Sequence, residues 1–200
     1  MLAACVLAGC STSEGSGFVR SERLFVDGCW NGPFDLHPTF FGANPSADSL
    51  QIRVQRGSDA IEISDGLAVL VTDLHAIRAA ELGVPLEVGL RPGVTPPGIP
   101  VVADPDPPRV SVALYLNDTC HAQTAALHAL TGTMTFTALF SGDRNETRAD
   151  DRLTEASFDV EIADPRDLSP DGTVPAERRS VVTGAFRFFF ERGQPAQPFP

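Results

Sequence analysis

The chain contains no lysine, so all 15 of its basic side chains are arginine, set against 26 Asp and Glu. A Walker-type phosphate loop, a Schiff base to pyridoxal phosphate and a Ser–Lys nucleophile pair each need an ammonium group, and that chemistry is excluded. Positive charge is scarce altogether, giving a net charge of −11 and a pI near 4.6. Nucleic acid and anionic headgroups are polyanions that such a surface repels, so no nucleic-acid partner is expected. Aromatic residues other than Phe are limited to Trp30 and Tyr115. Sugar-binding modules and glycosidases present exposed Trp or Tyr platforms, and a glycosidase also needs a carboxylate pair that nothing here singles out. No G-x-S-x-G elbow, C-x-x-C pair or EF-hand spacing occurs. No catalytic residue is therefore assigned, and no metal or other cofactor is expected.

What the chain does have is period-two alternation. Leu50, Ile52 and Val54 alternate with polar residues, which in an extended chain puts all three on one face. After the turn residues Gly57-Ser58-Asp59, alternation resumes over Ala60–Ile63, and Leu67–Val71 is a continuous apolar run that reads as a strand buried on both faces. Four further half-buried strands are expected around Val110–Leu116, Met134–Phe140, Phe158–Ile162 and Phe186–Phe190. The openings Thr131-Gly132-Thr133 and Thr183-Gly184-Ala185 resemble one another and suggest two equivalent strands. Two helices are predicted: one capped by Asp73 and running Leu74–Leu82 to Gly83, the other opened by Asp118 or Thr119 and running to Leu130.

Seven of the 17 prolines fall within residues 92–108. Proline cannot donate to a sheet ladder, so this stretch is expected to be an extended loop. Residues 193–200 are likewise too rich in proline for a paired strand. The expected fold is mainly β: an antiparallel β-sandwich, jelly-roll or immunoglobulin-like, with one or two short helices, spanning residues 22–192 as one domain.

At the N-terminus, the apolar run Met1–Ala8 is too short to cross a bilayer, and Leu7-Ala8-Gly9-Cys10 is followed by the polar stretch Ser11–Gly17. This segment resembles the lipobox of bacterial lipoprotein signal peptides, although the basic n-region of that family is missing, no Arg preceding Arg20. An ordinary secretory signal and a hydrophobic first strand are the other readings of these residues. The resemblance implies that residues 1–9 are a signal-peptide remnant, that Cys10 carries acyl chains, and that residues 10–21 form a flexible tether. It also implies an address, the bacterial cell envelope, at the outer membrane or the periplasmic face. Of the four cysteines, Cys5 would be removed and Cys10 acylated, which leaves Cys29 and Cys120. In an oxidising compartment these two are expected to form a disulfide, the alternative being two separate buried thiols. Trp30, beside Cys29, is expected to pack on that disulfide.

Candidate ligands for metals are poorly spaced. His121 and His128 lie seven apart, which separates them by about 10 Å along a helix and puts them on opposite faces of a strand. His37 and His75 have no partner in the sequence pattern. Three acidic groups, Asp104/Asp106, Asp143/Glu146/Asp150/Asp151 and Asp164/Asp167/Asp171, read as solvated or turn-forming segments, the second interleaved with Arg144, Arg148 and Arg152. The reading that needs least is a lipid-anchored, non-enzymatic binding or assembly module, attached to the membrane through its lipid and meeting an envelope protein partner. The alternative is a small-molecule binder or hydrolase with a pocket between the sheets.

Overall fold

Strands form where every second side chain is apolar, and they pair so that the apolar faces coincide. The computed structural model describes residues 15–58, 63–91, 105–122, 126–169, 171 and 173–192. Its strands are β1 (Gly15–Val26), β2 (Trp30–Leu36), β3 (Phe40–Ser46), β4 (Ser49–Gln55), β5 (Asp65–Thr72), β6 (Pro85–Glu87), β7 (Val110–Leu116), β8 (Ala126–Ala138), β9 (Leu153–Ala163) and β10 (Ser180–Phe189). The described residues also form two short helices, α1 (Leu74–Ala80) and α2 (Ala149–Arg152), and single 3-10 turns at Pro165–Asp167 and Ala176–Arg178.

The named strands pair antiparallel in one sheet ordered β2-β1-β10-β9-β8-β7-β5-β4-β3, with β6 added beside β8 and a single parallel bridge between Val88 and Val110. The expected sandwich of two sheets is corrected to this single sheet curled into a half-barrel. Jelly-roll and immunoglobulin topologies need connections that cross between sheets, whereas here neighbours in the sheet follow chain order, except where β1 lies against β10 and where β7 lies against β5, with β6 between them in the chain. Curling follows from covalent reach. β2 and β3 occupy opposite ends of the strand order, which in a flat sheet would stand roughly 38 Å apart at about 4.8 Å per strand. They are joined only by His37-Pro38-Thr39, which spans at most about 14 Å.

The inner face is the core. Leu50, Ile52 and Val54 lie opposite Val71, Val69 and Leu67, and these lie opposite Val110, Val112 and Leu114. Phe41 of β3 stacks on Phe188 of β10 with ring centroids 5.8 Å apart, and Phe140 stacks on Phe190 at 4.1 Å. Each such ring, fully buried, contributes on the order of 2–3 kcal/mol of transfer free energy. Gly132 and Gly184 are not strand openings. They sit within β8 and β10 and flank β9 from both sides, opposite Val160 and Phe158. A Cβ at Gly132 would lie 2.4 Å from the Asp159 carbonyl oxygen, and one at Gly184 would lie 2.4 Å from the Phe158 ring.

Several local expectations are corrected. β7 is buried on both faces, not one, because Ser111, Ala113 and Tyr115 are covered as fully as the valines. No helix runs from Asp118 to Leu130: a turn follows β7, and Ala126 already belongs to β8. There Leu127 faces Leu114 and Ala129 faces Ile162, so pairing with β7 and β9 overrides the local helix pattern. α1 forms where predicted, but Asp73 adopts a left-handed conformation (φ 55°) and its side chain does not cap. The cap comes from Asp48 in the β3–β4 turn, whose carbonyl accepts from Leu74 N–H and whose carboxylate accepts from His75 N–H. The tether expected through residue 21 gives way to sheet at Gly15, paired with Phe188. Ile63 lies in an exposed turn rather than a strand. The rest of the Ala60–Ile63 strand, residues 92–104 of the proline-rich loop, the tail 193–200 and the lipobox lie outside the described residues.

Candidate functional site

Val19 and Leu24 are both buried although they are five residues apart, an odd spacing that an uninterrupted strand cannot satisfy. β1 absorbs the extra residue as a bulge between Ser21 and Leu24. Up to Arg20, opposite Thr183, β1 pairs with β10, and beyond that point the two strands separate. Two serine hydroxyls take over from the backbone ladder. Ser21 Oγ donates to the Val181 carbonyl at 2.7 Å, and Phe25 N–H donates to Ser180 Oγ at 2.9 Å.

The separation opens a groove of about 660 Å³ on the outer face, lined by Arg20 to Arg23, Arg179 to Val181 and Thr183. Arg20 is paired with Asp35 at 3.1 Å and Arg179 with Glu161 at 2.9 Å. Arg23 is held by neutral groups, donating to the Asn31 side-chain oxygen at 3.1 Å and the Glu177 carbonyl at 2.7 Å. Val181 is half exposed in the midst of these guanidiniums. The arrangement offers planar donors around an apolar floor, which suits a polar or acidic extended segment. Ser21 spends its proton on a backbone carbonyl and Ser180 accepts from a backbone N–H, so both serines here stand in for missing ladder bonds. A second concavity of about 470 Å³ lies further along β1 and β10, lined by Ser16, Phe18, Glu155, Ser157 and Arg187 among others.

A buried polar cluster sits on the outer side of β4, β5 and β7. The Arg53 guanidinium lies 4.3 Å over the Phe40 ring. Tyr115 O–H donates to Gln55 Oε1 at 2.9 Å, and Gln55 Nε2 donates to the Gly57 carbonyl at 2.7 Å. Burial pushes the Tyr115 phenol well above its ordinary value, so it serves as a neutral donor rather than as a base. Nearby, the Asp65 carboxylate accepts from Asp118 N–H and Thr119 N–H, each at 3.0 Å, and from the Thr119 hydroxyl at 2.5 Å. That grip fixes the turn carrying Cys120.

Cys29 and Cys120 are brought together as expected, with sulfurs at bonding distance and Cα atoms 5.8 Å apart. Trp30 does not pack in the core beside them. It stays 37% exposed, its indole N–H donating to the Gly32 carbonyl at 3.3 Å. Of the histidines, His37 lies 3.4 Å from Asp35, and His75 bonds Asp48 through Nδ1, while His121 is exposed and His128 is buried. The Asp48–His75 pair serves as the helix cap, and its hydrogen bonds from the backbone and imidazole of His75 hold Asp48 below the ordinary carboxylate range.

Arginines engage the acidic groups one by one. Asp151 pairs with Arg78 at 2.6 Å and Arg148 at 3.1 Å, Asp167 with Arg178 at 2.5 Å, and Asp164 with Arg166 through both carboxylate oxygens. The segment is largely exposed, as expected, and it is also pinned to the sheet end: Arg144 reaches Asn44 and the Pro45 carbonyl, and Arg152 donates to the Phe190 carbonyl. Among the described residues, no three His, Cys, Asp or Glu side chains converge to hold a metal, and no helix is long and apolar enough to cross a membrane. Comparison of the chain with protein-family models, with curated protein sequences and with solved structures finds no match.

Proposed function

We propose that the chain is a lipid-anchored protein of the bacterial cell envelope that works as a non-enzymatic binding or assembly module. The observation that carries this reading is one of order along the chain. Leu7-Ala8-Gly9-Cys10 stands five residues ahead of a sheet in which Cys29–Cys120 ties the turn after β1 to the turn after β7, a pairing suited to an oxidising compartment. The groove at the β1 bulge supports the binding half of the proposal, since it offers arginine forks around an exposed valine. The anchor's contribution is local concentration: a partner in the same membrane meets the groove far more often than it would in free solution.

Metabolic labelling with an alkynyl palmitate tests the anchor, with label expected on the wild type and absent from Cys10→Ser. Crosslinking in intact envelopes then tests binding. A near-stoichiometric partner recovered with the wild type and lost with both Cys10→Ser and Arg23→Glu supports the module. Label that does not depend on Cys10 overturns the anchor, and crosslinking unaffected by Arg23→Glu overturns the groove.

A further inference from the structure

The anchored reading, on which this inference rests, also orients the molecule. Five peptide units separate Cys10 from Gly15, and fully extended they reach about 18 Å. Gly15 is already locked into the sheet opposite Phe188. From there β1 runs 12 residues to Val26, opposite Trp30, which is about 36 Å of strand at ~3.3 Å per residue. Acyl chains hold Cys10 at headgroup depth, so the Gly15 end is confined near the bilayer while the Trp30 turn is not.

The surface at that end has the composition of an interfacial contact. Phe18 and Phe189 are half-buried on the outer face, each beneath a guanidinium: Arg20 lies 4.8 Å from the Phe18 centroid and Arg187 lies 5.2 Å from that of Phe189. Phe18 and Arg187 also line the concavity of about 470 Å³ beside Gly15. Rings can settle at the ester level while the guanidiniums stay with the phosphates. We infer that the outer face around Phe18, Arg187 and Phe189 rests on the phospholipid surface, with the Trp30 turn directed away from it. The acyl chains supply the affinity, since a net charge of −11 gives no attraction to anionic lipid.

A chain with a single tryptophan makes the orientation measurable. The acylated protein is incorporated into zwitterionic vesicles containing phospholipid brominated near the ester end of the acyl chain, and tryptophan emission is read with and without bromine. The wild type reports from Trp30, and Phe18→Trp and Ser16→Trp, each combined with Trp30→Phe, report from the proposed contact. Quenching at positions 16 and 18 is expected to exceed that at Trp30 several-fold. Equal quenching at the two ends, stronger quenching at Trp30, or none at 16 and 18 overturns the orientation. Failure of the wild type to float with the vesicles overturns the anchor instead, so the two ideas fail separately.

Discussion

Cys29 lies in the turn between β1 and β2, and Cys120 lies in the turn after β7, with β10, β9 and β8 between those strands in the sheet. The bond therefore ties two well-separated parts of a curled sheet, across a sequence separation of 91 residues. Closing a loop of that length removes chain entropy from the unfolded state worth about 4–5 kcal/mol. Replacing both cysteines by alanine is expected to remove most of that, a large share of the roughly 5–15 kcal/mol that holds a domain together. With a urea m-value of about 2 kcal/mol/M for a chain of this size, the unfolding midpoint should fall by roughly 2 M. The m-value itself should rise in the double variant, because an uncrosslinked chain exposes more surface on unfolding. Dithiothreitol should move the wild type to the same midpoint and leave Cys29→Ala/Cys120→Ala where it is. A midpoint shift under about 0.5 M would refute the reasoning. So would a wild type unmoved by full reduction while the double variant unfolds, since packing at Cys120 rather than the cross-link would then be responsible.

Gly184→Ala should destabilise by about 1–3 kcal/mol in urea titration because its Cβ meets the Phe158 ring, whereas Gly32→Ala, with nothing within 4 Å, should stay within about 0.5 kcal/mol. Burial pushes His128 from 6.5 down to about 4, against the opposing pull of Asp164. The unfolded chain then binds the proton first, so stability should rise with pH between about 4 and 6.5 and be lost on acidification through that window, by up to about 3 kcal/mol. His128→Leu should flatten the dependence of the urea midpoint between pH 7 and pH 4. Asp48→Ala should speed amide exchange at Ile77 and Arg78 by uncapping α1, whereas Asp73→Gly should slow it or leave it unchanged, since glycine adopts the left-handed conformation of that position without strain. Equal effects from the two substitutions would show that the cap has been assigned to the wrong aspartate.

The strands were readable wherever alternation is local. Leu50–Val54, Leu67–Val71, Phe158–Ile162 and Phe186–Phe188 all lie in strands, because side-chain direction in an extended chain depends only on neighbouring residues. The Cys29–Cys120 pair follows from the sequence only through the lipobox resemblance, which sets Cys5 and Cys10 aside. The groove leaves only a faint trace in the sequence: Ser21-Glu22-Arg23 interrupts the pattern, and the odd spacing of Val19 and Leu24 implies a bulge. Nothing local marks Arg53 and Gln55 as buried, because their cover depends on Phe40 and Tyr115, brought in from other strands. Trp30 faces outward although it follows Cys29, because adjacency in sequence carries no information about which way an edge residue beside the disulfide turns.

By itself, then, the sequence determined the β class, most strand positions and the absence of lysine chemistry. Each of these depends on composition or on spacings of two to four residues. Only the tertiary structure decided that the strands make one curled sheet instead of two packed ones, that Asp48 caps α1, and that β1 parts from β10 to open a groove. Those outcomes depend on which distant strands pair and in what register, and many pairings bury the same apolar faces. The short link between β2 and β3, acting together with all the intervening pairings, selects the curled one.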